Sequence, residues 1–353
     1  MRSPLPLAAA VLVSALALGC TDGNLPTDPG VATSTDLASP IKSAEPSAPR
    51  RLVTGLQELQ GSAIGPDGAL FVTAPLTGSI WRVDPTTGAR ALFASGLPPR
   101  IDDPFFVGSG VVDVAFLGGT AYALVTGVGP DFGGGDVVGI YRMDGPDRFT
   151  VVADIGAFSI ANPPATEVFI PTGYQYAIES FRDGFLVTDG HHNRVLRVSL
   201  AGEITELITL GNVVPTGLAV SGDRIFIAEA GPIPHEPEDG RILAYGPGPR
   251  AGTVVAVGAP LLVDVEFGRG RTLFALAQGD WDGPFEGAPA LPNTGSLVRV
   301  EEGGSFVVVA DGLDRPTSLE ISGNTAYVVT IGGEVWAVDD IAKPAFGRTV
   351  GTR

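Results

Sequence analysis

Short apolar runs, rich in β-branched and aromatic residues and bounded by Gly, Pro, Asp and Asn, recur along the chain in step with its aromatics. Phe71, Tyr122, Phe185, Phe226, Phe274 and Tyr327 each sit in such a run: LFVTA, AYALV, GFLVT, IFIAE, LFALA and AYVVT. Polar turns such as GPDG, FRDG, SGD and SGN precede them. Nine or ten residues upstream of these aromatics, Ser62, Asp113, Gln175, Gly217, Asp264 and Ser318 open a second set, SAI, DVAF, QYAI, GLAV, DVEF and SLEI. Downstream lies a third set, IWRV, IYRM, VLRV, ILAY, LVRV and VWAV, and in five units a fourth, ALFASG, TVVADIG, ELITLG, VVAVG and FVVVADG. Four such runs per unit predict a small antiparallel sheet. Six units predict an all-β, six-bladed β-propeller of four-stranded antiparallel blades, because radial repetition protects sheet edges.

The sixth unit lacks a fourth run after VWAVDD. At the other end, RLVTGL at 51–56 matches VVADGL at 308–313 and LFASGL at 92–97. Segment 51–57 is therefore expected to close the ring as the outermost strand of the last blade, leaving no exposed edge between first and last blades. Blades are expected at about 58–98, 107–158, 168–211, 213–259, 261–313 and 315–340 plus 51–57, with a tail at 341–353.

In a propeller the second-to-third-strand loops and the blade-to-blade loops share one face. The remaining loops here are tight (GPDG, LGGT, SGD, SGN, DPTTG, SLAG, EEGG). The first class holds everything irregular: the spacing from aromatic to third run reaches 18, 16 and 23 residues in blades two, four and five, and segments 97–111 and 156–174 are long as well. Long loops on a rigid scaffold carry function disproportionately.

All three histidines fall on that face. His191 and His192 lie in TDGHHNR, the second-to-third-strand loop of blade three, and His235 lies in the equivalent loop of blade four. They are read either as loop-packing residues or as a ligand, base or proton donor; no close-spaced motif of the HExxH kind supports a metal site. Asp189, Gln175, Glu229 and Arg315 complete the candidate ligand contacts. A second constellation is Ser62, Asp113, Gln175, Gly217, Asp264 and Ser318, where the innermost strands begin. Asp113 and Asp264 stand in apolar runs of opposite blades, and a buried carboxylate there needs hydrogen bonds or a cation. Ring-end amides would satisfy the first requirement. Ca²⁺ held by Asp113, Asp264, Gln175 and Glu229 would satisfy the second. GDWDGPFEG at 279–287 adds Asp280, Asp282 and Glu286 without full EF-hand spacing. Trp81 and Trp336 fit blade packing, while Trp281, in a long loop, fits a ligand surface. No GxSxG elbow, Walker loop, CxxC pair or dinucleotide fingerprint stands in its required context.

The chain opens MRSPLPLAAAVLVSALALGC, a short apolar run with one Arg, read as a secretory leader over 1–19. Its end, Leu16-Ala17-Leu18-Gly19-Cys20, resembles a bacterial lipobox. Cys20 is the only cysteine, which excludes an internal disulfide and fits a lipid anchor. Thr21 rather than Asp after it leans toward the outer membrane. Residues 20–50 are rich in Thr, Ser, Pro and Asp and read as a disordered tether. Net charge is −17, or −18 without Arg2, so nucleic acid is excluded as a partner. The expected location is the cell envelope.

From about residue 54 to 339 the chain resembles the ScyD/ScyE family, NHL-type propellers associated with biosynthesis of the pigment scytonemin. VVDVAF, IANPP, FLVTDGHHNRVLRVSLAGEITEL, VPTGLAV, AEAGPIPHEPEDG, GAPLLVDVEFG, LPNTG and DGLDRPTSLE carry the resemblance. TDGHHNR is also similar to the Asp-x-x-Asn-x-Arg core of NHL repeats, which implies a structural role for Asp189, Asn193 and Arg194. Three functions follow as expectations: a lipid-anchored propeller binding a small molecule or protein on its long-loop face; a Ca²⁺-dependent lactonase or esterase with its site at the channel mouth; and an accessory role in aromatic pigment biosynthesis, which rests on the resemblance alone.

Overall fold

The computed structural model of the chain describes residues 46–101, 108–166, 170–233, 239–246, 252–283 and 287–342. Cys20, His235 and Glu286 lie outside them. The first strand, β1 (Arg50–Val53), pairs with the last. Between them, blade one holds β2 (Ser62–Ile64), β3 (Leu70–Ala74), β4 (Ser79–Val83) and β5 (Arg90–Ala94), and blade two holds β6 (Gly110–Leu117), β7 (Thr120–Thr126), β8 (Gly139–Gly145) and β9 (Arg148–Asp154). Blade three is β10 (Gln175–Phe181), β11 (Gly184–Asp189), β12 (Arg194–Ser199) and β13 (Ile204–Thr209). Blade four is β14 (Pro215–Ser221), β15 (Arg224–Glu229), β16 (Arg241–Tyr245) and β17 (Thr253–Val257). Blade five is β18 (Leu262–Phe267), β19 (Leu273–Ala277), β20 (Gly295–Val300) and β21 (Phe306–Leu313). In blade six, β22 (Pro316–Ser322), β23 (Thr325–Thr330) and β24 (Glu334–Asp339) are completed by β1. Every pairing is antiparallel, and the fold is a six-bladed β-propeller. Closure uses Arg50–Val53, a shorter stretch than the expected 51–57.

The radial position of a strand explains its sequence. Each second strand is sandwiched between the sheets of two neighbouring blades, so LFVTA, GFLVT and LFALA are buried on both faces and read as unbroken apolar runs. Outermost strands face water and alternate: β13, ITELIT, buries only Ile208. The innermost strands pack in the order β2, β6, β10, β14, β18, β22 and back to β2, which closes the ring and sets blade three opposite blade six. The core is correspondingly divided into layers between blades. Between blades one and two, Phe71 makes edge contacts with Phe93 and Phe116, each at 4.8 Å between ring centres; between four and five, Phe226 meets Phe267 at 4.9 Å.

A helix, α1 (Ile155–Ala161), occupies the start of the long connection from blade two to blade three. Asp154 caps it, its Oδ1 accepting the Ala157 amide at 2.8 Å. At seven residues, IGAFSIA is too short to display a helical period, which is why the sequence reads there only as a long loop. Among the described residues no helix is long and apolar enough to cross a membrane.

Candidate functional site

The axis of the ring holds a narrow cavity of about 30 Å³, room for a few waters at most. Asp113 and Asp264 line it as a matched pair of clasps. Asp113 Oδ1 accepts the amide of Val114 at 2.8 Å, and its Oδ2 accepts that of Ile178 at 2.8 Å, tying blade two to blade three. Asp264 repeats the arrangement, with Val265 at 2.9 Å and Leu319 at 2.7 Å, tying blade five to blade six. On their other sides stand glycines: a Cβ on Gly61 would lie 2.3 Å from Asp113 Oδ1, and one on Gly217 would lie 2.1 Å from Asp264 Oδ1. Gly217 therefore serves by giving way to a carboxylate. Ser62 and Ser318 hydroxyls meet at 2.8 Å and join blades one and six.

Three further carboxylates line the cavity, Glu179, Glu266 and Glu320. They occupy a single register position, opposite Leu186, Phe274 and Tyr327 of the second strands. Burial pushes Glu179 up to about 8 and Asp264 up to about 7, the amides of Leu319 and Val265 opposing the rise at Asp264. Burial, then the other carboxylates, pushes Glu266 and Glu320 well above the usual range. Asp113 is raised by burial against the pull of its two amides. The axis is thus an acid cluster that holds protons at pH values where free carboxyls are ionised. Tyr176 of β10 crosses it, its hydroxyl donating 2.9 Å to the Thr317 carbonyl in the opposite blade. Burial raises that phenol far above its usual range, so it stays a neutral donor.

Gln175 is elsewhere. It is fully buried between blades two and three, its Oε1 accepting the Thr126 hydroxyl at 2.8 Å and its Nε2 donating to the Thr172 carbonyl at 3.2 Å. In blade three Phe185 pairs with Ser180, and Leu186 takes the register place that aromatics hold in blades two, four, five and six. Counting from Phe185 therefore overshoots; the ring position is Ala177, which does line the cavity. Glu229, at the end of β15, accepts Arg241 Nε at 2.5 Å. Asp113, Asp264, Gln175 and Glu229 consequently do not converge, and the Ca²⁺ site they would form does not fit this arrangement. Among the described residues no group of three or more His, Cys, Asp or Glu is placed to hold a metal ion. Asp280 and Asp282 point to solvent.

On the long-loop face, TDGHHNR folds into a buried knot. Asp189 accepts the Tyr174 amide on Oδ1 at 3.1 Å and Arg194 Nε on Oδ2 at 3.1 Å. Arg194, 1% exposed, also donates to the Asn162 carbonyl at 2.8 Å, to Ser159 Oγ at 2.9 Å and to Glu206 at 3.3 Å. His192, also 1% exposed, faces the Ile170 carbonyl through Nε2 at 2.9 Å, so that nitrogen carries the proton. Its Nδ1 lies 3.0 Å from Arg194 Nη2 and 3.3 Å from Asp189 Oδ2, which ties the ring to both members of the ion pair. Asn193 takes the left-handed conformation, φ 52°, that turns the chain between the two sides of the knot. Burial raises the Asp189 carboxyl, but His192 and Arg194 overcome that and hold it below the usual range. His191 is half-buried, and burial pushes its imidazole down to about 4, so it is neutral at physiological pH.

Blade four repeats the carboxylate–arginine pair at the same register place, Glu229 opposite Arg241 as Asp189 is opposite Arg194. The copy is incomplete: the amide of Val214 donates to the Gly231 carbonyl, and among the described residues the buried Glu229 Oε1 has no hydrogen-bond partner. Burial raises Glu229, opposed by Arg241. Arg315 is engaged by its own neighbour, Nε to Asp314 Oδ1 at 2.7 Å and Nη2 to Oδ2 at 3.2 Å. Trp281 packs with Ala230, Leu261 and Ala290 under the loops of blades four and five, and Trp81 and Trp336 pack between blades.

Comparison with protein-family models and with curated protein sequences finds no match. Solved structures share the fold at low sequence identity. A gluconolactonase of Xanthomonas campestris superposes with a TM-score of 0.57 at 11% identity, covering 82% of this chain and 89% of that one. A PQQ-bound aldose sugar dehydrogenase of Streptomyces coelicolor gives 0.56 at 16%, covering 82% and 96%. A catalytically inactive virginiamycin B lyase of Staphylococcus aureus with quinupristin gives 0.52 at 12%, covering 82% and 98%. At these identities the likeness establishes the six-bladed fold and nothing finer.

Proposed function

We propose that the chain is an envelope-anchored binding propeller of the ScyD/ScyE type, taking a small molecule or protein partner on its long-loop face. The observation that carries this reading is the way the long loops are bonded to one another on one rim of a closed ring. Asp131 of the blade-two loop accepts both the amide and the hydroxyl of Thr172, at 3.0 and 2.6 Å. His192 ties the blade-three loop to Ile170, and Asn212 donates to the Ile233 carbonyl at 2.5 Å. Such cross-bonding yields a pre-organised surface, which lowers the entropic cost of binding. Asp113 and Asp264, the carboxylates expected of a Ca²⁺-dependent hydrolase at the axis, are meanwhile engaged in blade-to-blade clasps. The anchor rests on the lipobox ending at Cys20; Cys20→Ser is expected to move the chain from the membrane to the soluble fraction.

The reading is tested with residues 46–353 incubated with glucono-1,5-lactone and Ca²⁺. No turnover above the solvent rate is expected, together with a melt unchanged by chelator. Turnover abolished by Asp113→Asn would replace this reading with a metal-dependent hydrolase. In cells, replacing residues 130–136 by Asn-Gly is expected to abolish cross-links from the long-loop face to its envelope partner.

A further inference from the structure

Among the described residues the contact layer between blades three and four is the smallest of the six, and it opens outward into a groove of about 730 Å³, within the range of small-molecule sites. One wall is the column Arg241, Leu243 and Tyr245 on β16. The other is Leu207 of β13 and Leu210 just after it, and Phe181 forms the lower end. Three other blade junctions carry aromatic pairs in their layers: Phe71 with Phe93 and Phe116, Tyr122 with Phe185, and Phe226 with Phe267. Here the available aromatic, Phe181, is covered by the guanidinium groups of Arg182 and Arg197, 4.9 and 5.5 Å above it.

The charges of the groove are unevenly satisfied. Arg182 donates to Asp223 at 2.9 Å, and Arg197 donates to Asp183 through Nη2 while its Nη1 is buried without a partner. Arg241 at the upper end differs from both. Its Nε is fixed by Glu229, a fully buried carboxylate, and among the described residues neither terminal nitrogen has a hydrogen-bond partner. About a third of its side chain is exposed. A guanidinium pinned at Nε presents its outer N–H pair as a fixed fork, the geometry that takes a carboxylate through two parallel bonds. Below the fork, the apolar column descends four residues of strand, roughly 13 Å. Leu207, on the facing wall, is 43% exposed.

We propose that this groove is a binding site for an amphipathic organic acid, its carboxylate on Arg241 and its apolar body between Leu207, Leu243 and Tyr245. The site lies on the flank of the ring and stands independently of any ligand on the long-loop face. Charge complementarity selects the occupant: in a chain of net charge −17, Arg241 offers donors unpaired among the described residues, above an apolar wall.

Isothermal titration of residues 46–353 with decanoate at pH 7 tests this, with decanol as the uncharged counterpart. Saturable binding of one decanoate per chain is expected, at least about tenfold tighter than decanol, since a charge-assisted bidentate contact is worth more than one factor of ten. Leu207→Asp, an exposed position that leaves the fold unchanged, is expected to weaken decanoate by about tenfold or more by placing charge against the chain. The double variant Glu229→Gln/Arg241→Gln keeps the buried pair hydrogen-bonded and neutral; it is expected to erase the preference over decanol while the melt stays cooperative. Absence of saturable decanoate binding overturns the proposal. So does equal affinity for decanol in the unmodified protein, or binding indifferent to Leu207→Asp.

Discussion

Two adjacent histidines in TDGHHNR have different surroundings because a left-handed residue follows them. Asn193 at φ 52° folds the turn so that His192 swings under the loops, while His191 stays half-exposed. Alternation cannot reveal which of the pair is buried, since period two ends where the strand ends. The arginine one position further was legible only through the NHL-like spacing, and it proves to be the hub: Arg194 joins Asp189, Ser159, Glu206 and the Asn162 carbonyl. Removing one member of a buried, hydrogen-bonded ion pair strands the other charge. Arg194→Ala is therefore expected to cost about 3–5 kcal/mol in denaturant unfolding. Combining it with Asp189→Asn should recover part of that loss, because the stranded charge is gone; a double variant less stable than the single would contradict this account. The glutamates on the axis were missed for a different reason. Glu179, Glu266 and Glu320 sit in AIES, DVEF and SLEI, and in DVEF an acidic residue falls two positions after Asp264, hence on the same face of the strand. That signal is present in the chain, but it lies past the strand starts, where the ring position alone does not point.

The elements were legible because the propeller writes one pattern six times. Second strands stand between two sheets and must be apolar throughout, which made Phe71, Tyr122, Phe226, Phe274 and Tyr327 reliable markers. Blade three broke the count by two residues, pointing to Gln175 instead of Ala177, since Leu186 rather than Phe185 holds the common register. The short helix α1 left no period to detect. Closure was legible from what was missing, the fourth run of the last blade, and β1 supplies it: Arg51 pairs with Trp336 and Val53 with Val335. Val53 is buried at 3% exposure, and Ser47 extends the junction by donating to the Asp339 carbonyl at 3.0 Å. A chain beginning at residue 54 should thus keep a ring whose last blade has an unpaired edge. Its melting temperature is expected to fall by on the order of 10 °C, and light scattering should show association, because an open strand edge recruits another. An unchanged melt without association would mean that β1 only decorates a ring already closed by blade contacts.

At the scale of the whole molecule, the axial carboxylates set how stability depends on pH. Asp113, Glu179, Asp264, Glu266 and Glu320, from blades two, three, five and six, share one cavity with the neutral phenol of Tyr176. Burial raises all five, to about 8 for Glu179 and about 7 for Asp264. A raised carboxyl binds its proton more tightly in the folded state, so stability falls with pH between the unfolded value and the folded one. Below about pH 4 both states are protonated and these groups cost nothing; as pH rises past the unfolded values, the unfolded chain releases its protons while the folded ring must hold them or bear the repulsion. Asp189, held low by its partners, acts in the opposite sense and contributes stability that is lost only in more acid solution. Stability should accordingly peak near pH 5 and decline toward pH 8, by several kcal/mol in all, since each tenfold gain in proton affinity on folding is worth about 1.4 kcal/mol. Glu320→Gln isolates the cause. It keeps the shape of a side chain that burial and four neighbouring carboxylates push upward, and removes its charge. The variant should melt higher than the parent at pH 8 and almost identically at pH 5. Equal melting at both values would mean that the ring neutralises these charges by some route other than holding protons, and the decline with pH would then have to arise from the net negative surface.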